Sequence, residues 1–262
     1  MKFVLSCHRV LPRVFCALAA LLGASAMASA EPTQIEVRVL ARGAKFIGGY
    51  SASALVTLTD ADTGEVLARG MTQGTTGDTD RIMKSPPKDG GRKATDDSAV
   101  FKASLDLTGA RRVTATVTGP VSQPQAATTV TSTQWVLPGR HITAGEGWLL
   151  ELPGLIVDLV EPAAYQWVDK QSTVPLQASV TMMCGCALSV DGHWRAGDTE
   201  VEVSVSINGK PQPAQRMTFD AAAGRFGTEL KTQEPGIYEV EVRAWVAATN
   251  NAGVGRTTFF VR

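Results

Sequence analysis

Short runs in which every second side chain is apolar constrain this chain more than any other feature. Ile35, Val37 and Val39 alternate with Glu36 and Arg38, the period of a strand with one face in a core and the other in water. Alternation returns over 100–104, 113–117 and, most cleanly, 236–242. Further short strands are expected at 54–58, 65–69, 176–186, 199–207, 225–230 and 257–261. Turn residues separate them. Asp60-Ala61-Asp62-Thr63-Gly64 joins two strands as a hairpin, and Asn208-Gly209 ends another, both residues of that pair tolerating positive φ. Only 6% of the chain is aromatic, while Val, Thr, Ala and Gly abound, which favours strands and turns over helices. The expected fold is all-β.

The first thirty residues have a different character. Lys2, Arg9 and Arg13 precede a short apolar run over 14–22, and Ala28-Ser29-Ala30 stands before Glu31. This order of basic, apolar and small residues reads as an export signal cleaved after residue 30. The apolar run is well short of the ~20 residues that span a bilayer, and no later segment approaches that length. The signal takes with it Cys7, Cys16 and three of the 25 basic residues, but none of the 25 acidic ones. What remains has 22 basic against 25 acidic residues. That mixed, mildly acidic balance argues against nucleic acid, which requires clustered Lys and Arg. A periplasmic or secreted location is expected, with a partner in the envelope or outside the cell.

About 232 residues then remain, enough for two domains of ordinary size. The seam is placed at Pro153-Gly154, giving an N-terminal β-sandwich over 31–153 and a second over 154–262. Within the first, alternation vanishes over 70–98, where Gly, Thr, Asp and Pro dominate and Ile82 and Met83 are the substantial apolar residues. A mobile loop is expected there. Asp78 and Asp80 lack the spacing of a calcium loop.

The end of the chain carries a resemblance. Gly236-x-Tyr238-x-Val240, then Ala244, then Asn250-Asn251-Ala252-Gly253, then Thr258-Phe259-Phe260-Val261 look like the last two strands of a bacterial immunoglobulin-like domain. The likeness covers roughly residues 154–262. It implies two consecutive antiparallel β-sandwiches and a tyrosine-corner role for Tyr238. Val240 stands where antibody-type domains place a core cysteine, which excludes their cross-sheet disulfide. The first domain more loosely resembles exported carboxypeptidase-regulatory or transthyretin-like sandwiches, over residues 55–70. Such resemblances carry fold and not activity.

One cluster has chemical potential. Met182-Met183-Cys184-Gly185-Cys186 places four sulfur atoms in five residues, with His193-Trp194 close behind. On an extended strand Met182, Cys184 and Cys186 share a face, and Met183 opposes them. Thiolate and thioether select Cu(I), with imidazole as a supplement, so Cys184, Cys186, Met182 and His193 form a candidate copper-type site. The same phase continues from Leu176, Ala178 and Val180, which makes the cysteines small core hydrophobes on the bland reading. A Cys-x-Cys disulfide with a redox role is the third reading. No Gly-x-Ser-x-Gly, phosphate-cradling or His-Glu-x-x-His motif occurs, and an enzyme is not expected. Three functions stand: a binding or interaction protein of the cell envelope, a soft-metal binding protein, and a thiol-redox accessory protein.

Overall fold

The computed structural model describes residues 30–49, 52–84 and 91–262. All of the expected signal except Ala30 lies outside these residues, as do 85–90 of the expected loop. Seven strands come first: β1 (Glu31–Ala41), β2 (Leu55–Asp60), β3 (Val66–Met71), β4 (Phe101–Leu107), β5 (Arg111–Gly119), β6 (Thr128–Val136) and β7 (Trp148–Leu152). They form two sheets of order β4-β1-β7 and β3-β2-β5-β6. Ten follow: β8 (Leu155–Glu161), β9 (Trp167–Val168), β10 (Thr173–Met182), β11 (Glu200–Ile207), β12 (Lys210–Pro211), β13 (Gln215–Arg216), β14 (Thr218–Asp220), β15 (Arg225–Lys231), β16 (Gly236–Val246) and β17 (Asn251–Val261). Their sheets have the orders β14-β15-β10-β8 and β12-β11-β16-β17-β9, with β13 also on β11. The chain is all-β. Among the described residues, no ladder pairs a strand of β1–β7 with one of β8–β17.

The alternating residues explain the layering. In β5, Val113, Ala115 and Val117 are buried while Thr114, Thr116 and Thr118 are partly exposed; in β16, Tyr238, Val240, Val242 and Ala244 are buried. Each such Val or Leu is worth roughly 1.5–3 kcal/mol when taken out of water. Ladders are antiparallel with two exceptions: β1 with β7, and β17 with β9, run parallel. Residues 31–37 of β1 pair with β4 and 37–41 with β7, so one eleven-residue strand serves two partners in succession.

The Tyr238 hydroxyl donates to the Glu234 carbonyl at 2.8 Å from a fully buried ring, the geometry expected of a tyrosine corner. Asn208 and Gly209 take φ of 49° and 78° between paired Ile207 and Lys210. The closing strand, expected over 257–261, begins earlier: Asn250 takes φ 52° and β17 already starts at Asn251.

The stretch expected to be a mobile loop over 70–98 is tethered where it is described. Gln73 bridges Val100 and Thr75 bridges Ser98, and a helical turn occupies Asp80–Lys84. Ile82 buries with Leu40, Phe46, Ala94 and Ala99 in a small separate cluster. The Glu146 carboxylate accepts the backbone N–H of Lys93 and of Ala94. The apolar pair Ile82-Met83 thus anchors the excursion together with these bridges and hydrogen bonds.

Candidate functional site

The sulfur cluster sits on a turn. β10 stops at Met182, where an extended strand to Cys186 was expected. Gly185 takes φ 75°, its N–H donates to the Met182 carbonyl at 2.8 Å, and the Met182 N–H donates to the Cys186 carbonyl at 3.0 Å. The chain therefore reverses, and Ala187 returns to pair with Thr181. Gly185, free to adopt positive φ, is what breaks the strand phase. Met183, expected on the opposite face, is 1% exposed, as buried as Met182 and Cys184. An idealised Cβ on Gly154 would lie 3.2 Å from the Met183 sulfur, so Met183 packs under the link between β7 and β8.

Cys184 and Cys186 are joined by a disulfide, their Cα atoms 5.4 Å apart. Cys186 is half-buried and His193 exposed. The loop between them folds on Ser189, whose hydroxyl accepts the Gly192 N–H at 2.9 Å and whose N–H donates to the Trp194 carbonyl. His193 meets the edge of the Trp194 ring, centroids 5.9 Å apart. Among the described residues, no three His, Cys, Asp or Glu side chains gather as a metal-holding group. With both sulfurs in one bond there is no thiolate to act as a ligand, so soft-metal chemistry here belongs to the reduced pair alone.

Trp194 gives the turn another connection. Its indole N–H donates to the Gly43 carbonyl at 2.9 Å, across 151 residues. Nearby, the fully buried Asn251 donates to the Arg42 carbonyl at 2.9 Å and accepts the Gly154 N–H at 3.0 Å. The sulfur turn thus belongs to the joint between the earlier and the later sheets.

A second site lies on the outer face of the β16–β17–β9 sheet. Tyr238 and Phe259 face the core, their rings tilted against each other with centroids 4.9 Å apart. Their neighbours in sequence, Ile237 and Phe260, must therefore face outward, and they are paired across the ladder. Trp167 lies beside Phe260 in the parallel pairing, ring centroids 4.9 Å apart, and Tyr165 flanks it at 6.2 Å. Backbone bonds hold the approach: the Tyr165 N–H donates to the Thr258 carbonyl and the Phe260 N–H to the Gln166 carbonyl. Tyr165, Trp167 and Ile237 are 72%, 60% and 49% exposed. The Arg262–Asp169 ion pair, 3.1 Å, stands at the rim. The signal for this row was present in the sequence, since core phase at Tyr238 and Phe259 dictates outward phase at 237 and 260. Trp245, in phase with Ile237 on the same strand, is 41% exposed.

No protein-family model and no curated protein matches the chain. Solved structures with some likeness include an engineered protein at 15% identity and TM-score 0.32, covering 48% of this chain and 24% of that one. The fibronectin(III)-like modules of Clostridium thermocellum CbhA match at 14% identity and TM-score 0.28, covering 88% of this chain and 94% of that one. The titin domains Z1Z2, solved in complex with telethonin, match at 14% and 0.27, covering 89% and 96%. Scores this low carry no weight for fold or function, which rest on the strands and contacts of the chain itself.

Proposed function

We propose that the chain is an exported, non-enzymatic interaction protein of the cell envelope, periplasmic or secreted, that docks a partner protein on the row formed by Tyr165, Trp167, Ile237 and Phe260. In this reading residues 1–30 are the signal, and 31–153 and 154–262 are two consecutive sandwich domains. The observation that carries it is the row itself. Four large apolar side chains stand side by side on a sheet face, held by ladder pairing and rimmed by an ion pair. Aromatic anchors inside a polar rim are the anatomy of a protein-binding patch, and patches of this kind on a monomer are commonly functional. The Cys184–Cys186 disulfide supports export, because such bonds persist in oxidising compartments.

The test is photo-crosslinking from a reactive residue at position 237 in the cells that make the protein. One defined adduct, lost on Trp167→Ala, supports the docking row; adducts indifferent to Trp167→Ala overturn it. The copper-type alternative rests on the crowding of Met182, Met183, Cys184 and Cys186 in one turn. It demands reduction of the disulfide first, as does thiol-redox work. A thiol count and Cu(I) titration before and after mild reduction tests both. One Cu(I) held by the reduced protein and none by Cys184→Ser would favour the metal, with Met182 and His193 as the remaining ligands.

A further inference from the structure

β6 is a sheet edge of an unusual kind. Among the described residues its one ladder partner is β5, so the opposite side of its nine-residue backbone is unpaired. Its sequence, Thr128-Thr129-Val130-Thr131-Ser132-Thr133-Gln134-Trp135-Val136, contains no charge and no proline. Edge strands ordinarily carry such residues to prevent strand addition. The other edges of these sheets do: β3 has Arg69, β4 has Lys102 and Asp106, β7 has Glu151, β8 has Asp158 and Glu161, β12 has Lys210 and β14 has Asp220. β9 is only two residues long.

The outer face of this sheet is built from matched threonines. Thr57, Thr116 and Thr131 form one cross-strand row, and Thr59, Thr114 and Thr133 the next. Hydroxyls of Thr114 and Thr133 lie 2.7 Å apart, and those of Thr118 and Thr129 2.8 Å. At the end of the strand Trp135 is 62% exposed, although it is an apolar residue within a ladder.

We propose that a second copy of this chain covers the edge, two β6 strands pairing antiparallel about Ser132 to make one continuous eight-stranded sheet. Only this register pairs all nine residues while keeping outward side chains with outward ones. It sets Thr131 opposite Thr133 of the other copy, repeating the pairing already made with β5. It also sets Trp135 opposite Thr129, an aromatic and β-branched pair of the kind that stabilises ladders. No like charges meet, because the strand has none.

The test uses the protein isolated in its processed native form, with sedimentation velocity over a concentration series. The wild type is expected to dimerise. Thr131→Lys with Thr133→Lys places like charges opposite each other twice, and dimer dissociation is expected to rise at least roughly tenfold. Thr131→Lys with Thr133→Glu places opposite charges there and restores the dimer. Both variants lie on an exposed face, and an unchanged thermal melt verifies their fold. A wild type that stays monomeric overturns the proposal, whether or not a different protein adds the strand. So does a dimer that tolerates the double lysine, or one that the Lys–Glu variant fails to restore.

Discussion

At the scale of single residues, Arg38 is the least expected occupant of its site. Its alternation with Val37 and Val39 predicts a side chain in water, yet it is 2% exposed. Its Nη1 donates to the Glu36 carboxylate at 2.9 Å and to the Glu146 carbonyl at 3.2 Å, while its Nε, also buried, has no partner among the described residues. Sequence periodicity reports which face a side chain leaves from and not what later covers that face. Here residues around Glu146 do so, more than a hundred positions on. Burial is the largest influence on the Glu36 carboxyl and pushes its pKa up. The hydrogen bond and charge of Arg38, together with Lys102 at 3.5 Å, outweigh it and hold the carboxyl below its ordinary 4.5. A carboxylate lowered in this way contributes stability that is complete above the unfolded-state value and lost as pH falls through the folded one. Arg38→Ala leaves the partly buried Glu36 with Lys102 alone and is expected to cost about 1–3 kcal/mol. Glu36→Gln with Arg38→Met, keeping volume and removing both charges, should recover most of that and flatten acid sensitivity. Urea midpoints from pH 7 down to 3 measure both effects.

At the scale of elements, legibility followed local rules. β5 and β16 were readable because each keeps strict alternation over a stretch with one buried face, and Asn208-Gly209 because its turn geometry is set within two residues. The tyrosine corner was implied by the resemblance of the chain's end to immunoglobulin-like domains, and its bond spans only four positions. β10 ends sooner than its alternation predicts, because a single glycine at φ 75° outweighs a phase kept from Leu176 onward. The parallel β1–β7 and β17–β9 pairings had no local signal, being choices between distant partners. The consequence for the sulfur turn is a distinction between its two cysteines. A disulfide across a separation of two residues restricts the unfolded chain little, since the entropic effect grows with loop length. Its weight lies in what occupies the buried position 184. Cys184→Ser puts a hydroxyl where the side chain is 1% exposed and should cost about 1–3 kcal/mol. The Cys184→Ala, Cys186→Ala pair buries no polar atom and is expected to be the more stable of the two. Thermal melts of both variants, run without reductant, check that order; the reverse order would show that the buried hydroxyl at position 184 is not the main cost.

At the scale of the whole molecule, the joint was invisible in the sequence because its halves are far apart. Asn251 and Arg42 are separated by 209 positions, and Trp194 and Gly43 by 151. Asn251 lies ahead of the closing strand expected at 257–261. It is instead a fully buried strand residue whose amide serves both sides, donating to Arg42 and accepting from Gly154 at the link. The site leaves little slack, since a Cβ on Gly43 would meet the Thr249 methyl at 2.7 Å. Asn251→Ala removes both hydrogen bonds and leaves the part-buried Gly154 N–H and Arg42 carbonyl without that partner, an expected total loss of about 1–3 kcal/mol. Trp194→Phe removes one bond to Gly43 and keeps most of the packing, so its effect should be smaller. Both changes act on the connection and not on either core, which predicts a change in cooperativity as well as in stability. If the joint couples the early sheets to the late ones, calorimetry of the wild type gives one transition. Asn251→Ala should then separate it into two, with the sheets that lose more support melting first. Two transitions already present in the wild type would mean that the halves melt independently and that Asn251 stabilises only its own side. A single transition moved down intact would place the coupling in the wider contact, with Gln125 and Asp158 the next pair to remove.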